Sequence, residues 1–516
     1  MTQSENKLFY GDNLDVLKRH IKDETVDLCY IDPPFNSKRN YNQIYNAIGE
    51  EDKAQAQAFV DTWEWNHQAE IDLRSIYEGY GFTEQTINLI QGLEKVLRKG
   101  ALLSYLVSMT LRINEIWRVL KPTGSFYLHC DPTASHYLKL VCDSIFCGGG
   151  RGGEYLNEIA WCYSHGGRSK KHFGKKHDII LFYAKSKTHL FNDTSIRINM
   201  KSGKTSFGGK LEIDEDGREY RLVYGSKNAK GETKYYKYYL DEGKIPEDWW
   251  TDINSIQASS AERLGYPTQK PLALLERIVQ ASSNEGDVVL DAYCGCGTTV
   301  TASQKLNRQW IGIDITYQSI SLILKRLADT YGEEVIQTEQ LTLSGVPKDL
   351  AGARALANKA DDRLRKEFEK WIILTYSNNR AIINEKKGGD GGIDGISRFP
   401  KGQGEHGSVI FSVKSDKIVN PSYVRDLAGT VLKENADMGI LLCLNEPSKG
   451  VKQTASEYGM WTHSWNNQDY PKVLVISVEE ILENGLRLDK SLAGVVLKEA
   501  VKDDTSKQVS LFDVSG

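Results

Sequence analysis

The chain has 516 residues, 40% hydrophobic and 26% charged, with a formal net charge of −4 at pH 7. Those values fit a globular protein long enough for two or three domains and exclude a wholly basic nucleic-acid protein. There is no run of 18 apolar residues, the start Met1–Asn6 is polar, and the eight cysteines are scattered through apolar segments. A cytoplasmic chain with reduced thiols, off the membrane, is therefore expected.

Leu8 to Leu17 reads as a short strand, a glycine turn and a helix start, with Asp12 or Asn13 as the cap. Val26–Ile31 is apolar and reads as a buried strand that delivers Asp32-Pro33-Pro34-Phe35. The two prolines fix φ and donate no N–H, so the turn is stiff and its carbonyls stay free to accept. A carboxylate and a rigid carbonyl beside a stacking ring suit a planar ligand with an exocyclic amine. An acidic strand end followed by an ordinary turn would look the same. Asn36 to Tyr41 is polar and basic and reads as a mobile loop over such a ligand. Residues 50–100 are mostly helical in pattern, and both a closing arm and a dimer surface stay open for them.

Leu111 to Leu120 is an amphipathic helix ended by Lys121-Pro122-Thr123-Gly124, which feeds the strand Ser125–His129 and then Cys130-Asp131. His129 and Asp131 fall at a strand's carboxyl end, where open α/β sheets place ligands, although a structural histidine is the commoner case. Strands at Asn157–Tyr163 and Asp178–Tyr183 flank the basic loop Ser164–His177, a candidate for phosphate contact. From Tyr163 to Lys237 there are 17 Lys+Arg against 8 Asp+Glu, a local balance of +9. That fits a face meeting a phosphate backbone, or a solvated surface. Residues 187–260 lose βα alternation and mix lysines with Tyr220, Tyr224, Tyr235, Tyr236, Trp249 and Trp250. Such a mixture suits groove contact with base-edge reading.

Tyr266 to Pro271 opens a helix running to about Ser282, whose N-terminus attracts anions. Asp287–Asp291 reads as a strand, Ala292–Gly297 as a tight turn, Thr298–Leu306 as a helix and Trp310–Ile313 as a second strand, followed by Asp314. Gly295 and Gly297 let the backbone approach a ligand closely. Asp314 lies 314 − 295 = 19 residues beyond the first glycine, the distance at which an acid meets ribose hydroxyls. Val300 stands where a dinucleotide fingerprint has its third glycine, which argues against a pyrophosphate turn. Cys294-Gly295-Cys296 lacks the Cys/His cluster of a zinc site.

Asp32-Pro33-Pro34-Phe35, the Arg118-Val119-Leu120-Lys121-Pro122 run leading to His129-Cys130-Asp131, Pro267-Thr268-Gln269-Lys270-Pro271 and the Gly295/Gly297 turn together resemble the amino-group DNA methyltransferases. These use S-adenosylmethionine to methylate adenine N6 or cytosine N4. The catalytic half comes first, the variable region next and the cofactor half last, which is the β-class order. The resemblance spans roughly residues 7–330. It implies an α/β, Rossmann-like, permuted S-adenosylmethionine-dependent domain over 1–335, acting on double-stranded DNA, with target recognition at about 187–260. The implied catalytic set is Asp32, Pro33, Pro34 and Phe35. The implied cofactor contacts are Asp12, Thr268, Lys270, Asp291, Tyr293, Gly295, Gly297, Thr298 and Asp314. Asp12 would look the same as a helix cap alone, and Tyr293 stands where the family usually has Phe. Aspartate rather than serine at position 32 follows the family's pattern for adenine N6. A homodimer is left open.

After Gln340 the alternation breaks, and 336–348 reads as a linker. Asp349 to Thr375 is largely helical, followed by Ala381–Ile383, a glycine-rich turn through Asp394-Gly395, and the strand Ser408–Lys414. A strand-end carboxylate, a lysine on the neighbouring strand and a helix glutamate can hold a divalent metal and orient water on a phosphodiester. These residues resemble the Mrr-like branch of the PD-(D/E)xK restriction endonucleases. That implies a small α/β restriction-endonuclease-like domain over 349–502, with Asp394 and either Glu367 or Glu369 on Mg2+ and Lys414 catalytic. Ser412 stands where the pattern has Glu or Gln, a weak ligand for a hard cation, so an inactive DNA-binding remnant stays open beside an active nuclease. Residues 503–516 read as a polar, mobile tail. The expectation is a self-contained restriction–modification protein, with an RNA or protein methyltransferase and a non-catalytic DNA-binding protein as rivals.

Overall fold

The computed structural model describes residues 5–492 except 35–38, 48–49, 62, 80, 165–169, 199–210, 228–230, 232, 258–259, 265, 267, 333, 338–340, 359–361, 379, 385–391, 403–404 and 465. The expectations for Phe35, for the start of the loop after it, for part of the basic loop and for the tail 503–516 lie outside the described residues.

β1 (Asn6–Tyr10), α1 (Asn13–His20) and β2 (Val26–Ile31) open the chain. A hairpin of β3 (Arg39–Ala47) and β4 (Glu50–Asp61) comes next. Here the structure differs from the expected loop through Tyr41 and helix from residue 50. Alternation of Ala and Gln through Ala54-Gln55-Ala56-Gln57-Ala58 has the strand period of two, and it outweighs the helix propensity of those residues. α2 (His67–Glu78), α3 (Glu84–Leu97) and α4 (Ala101–Val119) then cover one face of the main sheet, α4 burying Tyr105, Met109, Ile113 and Ile116 along one stripe.

β5 (Leu120–Cys130), α5 (Ser135–Cys142), β6 (Glu154–Cys162) and β7 (His177–Ala184) complete the first half. A separate antiparallel sheet of β8 (Leu211–Ile213), β9 (Glu219–Lys227) and β10 (Thr233–Tyr239) lies inside the expected recognition region. β11 (Trp249–Trp250), α6 (Leu272–Ser282), β12 (Val288–Asp291), α7 (Thr298–Lys305), β13 (Gln309–Asp314), α8 (Tyr317–Tyr331), α9 (Glu334–Gln337) and β14 (Leu341–Ser344) follow.

Nine strands form one sheet in the order β11-β6-β7-β5-β2-β12-β13-β1-β14, all parallel except β7. β2 and β12 lie side by side in parallel, Cys29 opposite Leu290, so their carboxyl ends open on one crevice. Strands of the chain's two halves meet there, which is where such sheets bind ligands. The expected linker is corrected in part. Leu341–Ser344 is the parallel edge strand β14 on β1, Asn6 opposite Leu341. Four residues are too few for a period to be read, and β1 supplies the template.

The remainder begins with α10 (Leu350–Ala357) and α11 (Asp362–Tyr376). β15 (Ile382–Ile383), β16 (Gly395–Gly402), β17 (Glu405–Lys414), β18 (Met438–Cys443) and β21 (Val473–Ser477) form a mixed five-stranded sheet in that order. Between them come α12 (Pro421–Lys433), α13 (Lys449–Ser456) and the small hairpin of β19 (Met460–Thr462) and β20 (Asp469–Pro471). α11 lies between α8 and β17. Leu8, Trp310, Ile320 and Ile323 therefore share one continuous apolar cluster with Phe368, Trp371, Ile372 and Phe411. Among the described residues no helix is long and apolar enough to cross a membrane.

Candidate active site

β2 carries Asp32 to its carboxyl end, and Pro33 behind it is buried. Lys270 Nζ, nine-tenths buried just before α6, donates to Asp32 Oδ2 at 2.5 Å. Asp32 Oδ1 is also buried, and among the described residues no donor reaches it. One carboxylate oxygen is thus pinned while the other keeps its acceptor capacity. A buried acceptor without a partner is costly and is usually explained by a ligand, water or function at the site.

Behind the acid runs a buried chain of hydrogen bonds. Tyr30 Oη lies 2.9 Å from His129 Nδ1, His129 Nε2 is 3.1 Å from Asp178 Oδ2, and Tyr163 Oη donates to Asp178 Oδ1 at 3.2 Å. With Nε2–H donating to the carboxylate, Nδ1 accepts from the tyrosine, and every group is satisfied. Burial works against the Asp178 charge, but the His129 hydrogen bond holds its carboxyl below the ordinary range. His129 is wholly buried with both ring nitrogens engaged, so it positions rather than meets a ligand.

Beside Asp32 the turn after β12 forms a backbone cradle. Gly295 and Gly297 are both left-handed, at φ +49° and +74°. A Cβ on Gly297 would lie 2.6 Å from Ile323 Cγ1, so only glycine fits there. Gly295 N–H donates to Asp314 Oδ2 at 2.9 Å, and Thr316 N–H and Oγ1 donate to Oδ1 at 2.9 and 3.0 Å. Burial nonetheless raises the Asp314 carboxyl above its ordinary value. Asp291 accepts from Thr299 Oγ1 at 2.5 Å and from Tyr293 N–H at 3.0 Å, closing the turn. Its burial, with Asp32 and Asp314 nearby, pushes it up to about 7 against those two bonds.

Asp32, Lys270, Asp291, Gly295, Gly297, Thr298 and Asp314 thus lie around this turn, and several of the expected residues are bound into the fold. Asp12 caps α1 through Leu14 N–H and pairs with Arg112 Nη2 at 2.8 Å. Thr298 is buried, its hydroxyl donating to the Lys270 carbonyl at 3.4 Å and accepting from Arg326 at 3.3 Å. Tyr293 reaches Met109 Sδ on α4, and Thr268 is exposed at φ +64°, a strained conformation for a β-branched residue. Arg112 and Arg326 are missed by sequence reasoning. Arg326 ties the Cys296 carbonyl and Thr298 to α8. Their only sequence signal is a guanidinium set among apolar helix residues.

A family model described as DNA methylase matches residues 26–325, more than half of the chain. The chain belongs to the DNA methylase family. Relatives of this methylase include DNA adenine methyltransferase YhdJ of Escherichia coli (strain K12), 29% identical over 322 residues, 62% of this chain and 82% of the relative. Type II methyltransferase M.HpaI of Haemophilus parainfluenzae is 29% identical over 283 residues, 53% and 74% respectively. The solved PvuII DNA methyltransferase (cytosine-N4-specific) matches at a TM-score of 0.35 and 13% identity, covering 62% of this chain and 86% of that one, which adds nothing to the fold described above.

A second family model, NACHT-associated inactive Restriction Endonuclease 1, matches residues 364–483 of the methylase chain. There Asp394 and Lys414 do come together. Asp394 precedes β16, accepts from Val413 N–H at 2.7 Å, and is pushed up to about 6 by burial and then by Glu369. Lys414 ends β17 and lies over the Tyr423 ring. The Mg2+ expectation does not fit. Glu367 faces the opposite side of α11, towards Tyr10 and Tyr317. Lys366 Nζ sits 2.7 Å from Glu369 and 3.9 Å from Asp394, an ammonium shared by the two carboxylates that would have held the ion. With Ser412 beside them, no group of three metal-ligating side chains exists among the described residues.

Proposed function

We propose that this methylase transfers a methyl group from S-adenosylmethionine to the exocyclic amine of a flipped base in double-stranded DNA, most simply adenine N6. The observation that carries the reading is Asp32, one oxygen held by Lys270 and the other buried and unpartnered, one strand from the Gly295–Gly297 turn. When bound, the cofactor supplies an electrophilic methyl group on a sulfonium. The residues suited to hold it are Gly295, Gly297 and Asp314, with Asp291 and Thr298 shaping the turn. Asp32 Oδ1 and the Pro33 carbonyl accept hydrogen bonds from the amine and leave the nitrogen lone pair free. As the C–N bond forms the methyl–sulfur bond breaks, a neutral thioether leaves, and the amine proton passes to the Asp32 carboxylate and on to solvent. Rate comes from orientation, and no covalent enzyme intermediate is required.

Flipping costs a few kcal/mol of stacking, offset by contacts around the base. The β8–β10 sheet suits the duplex: Tyr224, Tyr235, Tyr236 and Tyr238 are exposed there among lysines. Asp at position 32 and the likeness to an adenine methyltransferase favour adenine N6 over cytosine N4. The carboxy-terminal segment, with Lys366 between its acids, does not cut DNA.

The test is tritiated-methyl transfer to genomic DNA. Asp32→Ala should lose transfer by about 10³-fold or more while keeping cofactor affinity. Full transfer by the variant would remove Asp32 from catalysis. Long-read sequencing of the product distinguishes N6 from N4, and magnesium-dependent plasmid cleavage by the wild type would refute the non-cutting assignment.

A further inference from the structure

Two residues apart on a helix face opposite ways, and α11 uses both faces. Glu369 and Ile373 turn to the five-stranded sheet, beside Asp394 and Gly395. Glu367, Trp371 and Thr375, spaced four apart, turn to the methylase. Glu367 Oε2 accepts from Tyr317 N–H at 3.1 Å and from Tyr10 Oη at 3.3 Å, while Oε1 pairs with Lys370 at 2.9 Å. Tyr317 Oη lies 3.2 Å from Thr375 Oγ1. Glu367, Tyr10 and Tyr317 are all at least nine-tenths buried.

Both groups that Glu367 holds flank Asp314. Tyr10 stands opposite Asp314 in the β1–β13 register, and Gly11 N–H donates to the Asp314 carbonyl at 2.9 Å. Tyr317 is the first residue of α8, three beyond Asp314. The first amides of a helix have no acceptor within it. Thr316 serves Ser319, and the buried Tyr317 amide takes its acceptor from a residue 50 positions further on. A carboxylate there also favours the positive end of α8.

We propose that α11 is a wall of the cofactor pocket, with Glu367 as a positioning residue that sets the Asp314–Thr316 turn. The inference rests on the reading of Asp314 as the cofactor's ribose acid. Calorimetry of S-adenosylmethionine with the full chain tests it. Glu367→Leu removes both bonds together with the Lys370 ion pair and should raise Kd about tenfold, and Tyr10→Phe removes one bond alone and should raise it about threefold. Glu367→Gln keeps an amide oxygen for both donors that flank Asp314, gives up only the Lys370 ion pair, and should stay within about twofold. The cofactor KM should follow Kd, with kcat at saturation nearly constant. Unchanged affinity in Glu367→Leu and Tyr10→Phe, or a loss confined to kcat, overturns the inference; should Glu367→Leu not fold, Tyr10→Phe decides alone. Asp314→Ala separates the two levels. Affinity lost there but not in the other variants sinks this inference only, whereas affinity kept there sinks the cofactor reading and this inference with it.

Discussion

Asp291 shows how tightly the pocket is drawn. Its carboxyl titrates near 7 in the fold against about 4 in an unfolded chain, because burial penalises the charge. The folded state therefore binds the extra proton between those values. This contribution to stability is full below about pH 4 and is lost as pH rises through 7. Asp291→Asn removes it, so the variant should gain on the order of 2 kcal/mol relative to wild type between pH 5 and pH 8.5. Thermal unfolding of both proteins across that range checks the sign, and parallel curves would refute it. Asp32 and Asp314 are legible in the sequence because backbone chemistry leaves few ways to present an acid at a strand end beside two prolines or two glycines. Lys270 is reached only through the resemblance, which makes it a cofactor contact, while its ammonium lies on Asp32. The pairing of Lys270 with Asp32 is not legible, since 238 residues separate them and only the sheet order brings them together. The choice between Glu367 and Glu369 is equally invisible until the two faces of α11 have neighbours.

Among elements, the turn between β12 and α7 bears the strictest demand. Gly297→Ala forces a Cβ into Ile323 at a left-handed φ, and should cost about 1–3 kcal/mol of stability. Differential scanning calorimetry reads the loss, and cofactor affinity should fall with it; an unchanged melting temperature would mean the turn relaxes freely. Strands β2, β12 and β13, helices α6 and α7 and the second half of α4 follow from apolar period and length, whereas α8 goes unread. The hairpin β3–β4 and the edge strand β14 do not, for opposite reasons. The first has helix-forming residues on a strand period, and the second is too short to carry any period. The reversal of β7 is a property of pairing, with Ser125 opposite Ala184, and no local residue announces it.

Across the whole molecule, the apolar cluster running from Leu8 and Trp310 to Phe368 and Phe411 makes the two sheets one thermodynamic unit. Truncation after Gly345 would expose Tyr317, Ile320 and Ile323 on α8. The shortened chain should aggregate or melt well below the intact one, as judged by size-exclusion chromatography and thermal unfolding. A monodisperse truncation of full stability would refute that coupling. The linker expected before Asp349 obscures this in the sequence, because apolar residues on α11 read equally well as the core of an independent domain.

The side of α11 that carries Glu367 and the side that carries Glu369, beside Asp394, answer to different structural demands. Substitutions at Glu369, Asp394 or Lys414 leave the wall beside Asp314 untouched, whereas deleting the segment takes the wall away. The segment can therefore be indispensable as masonry for the neighbouring site without performing any chemistry of its own.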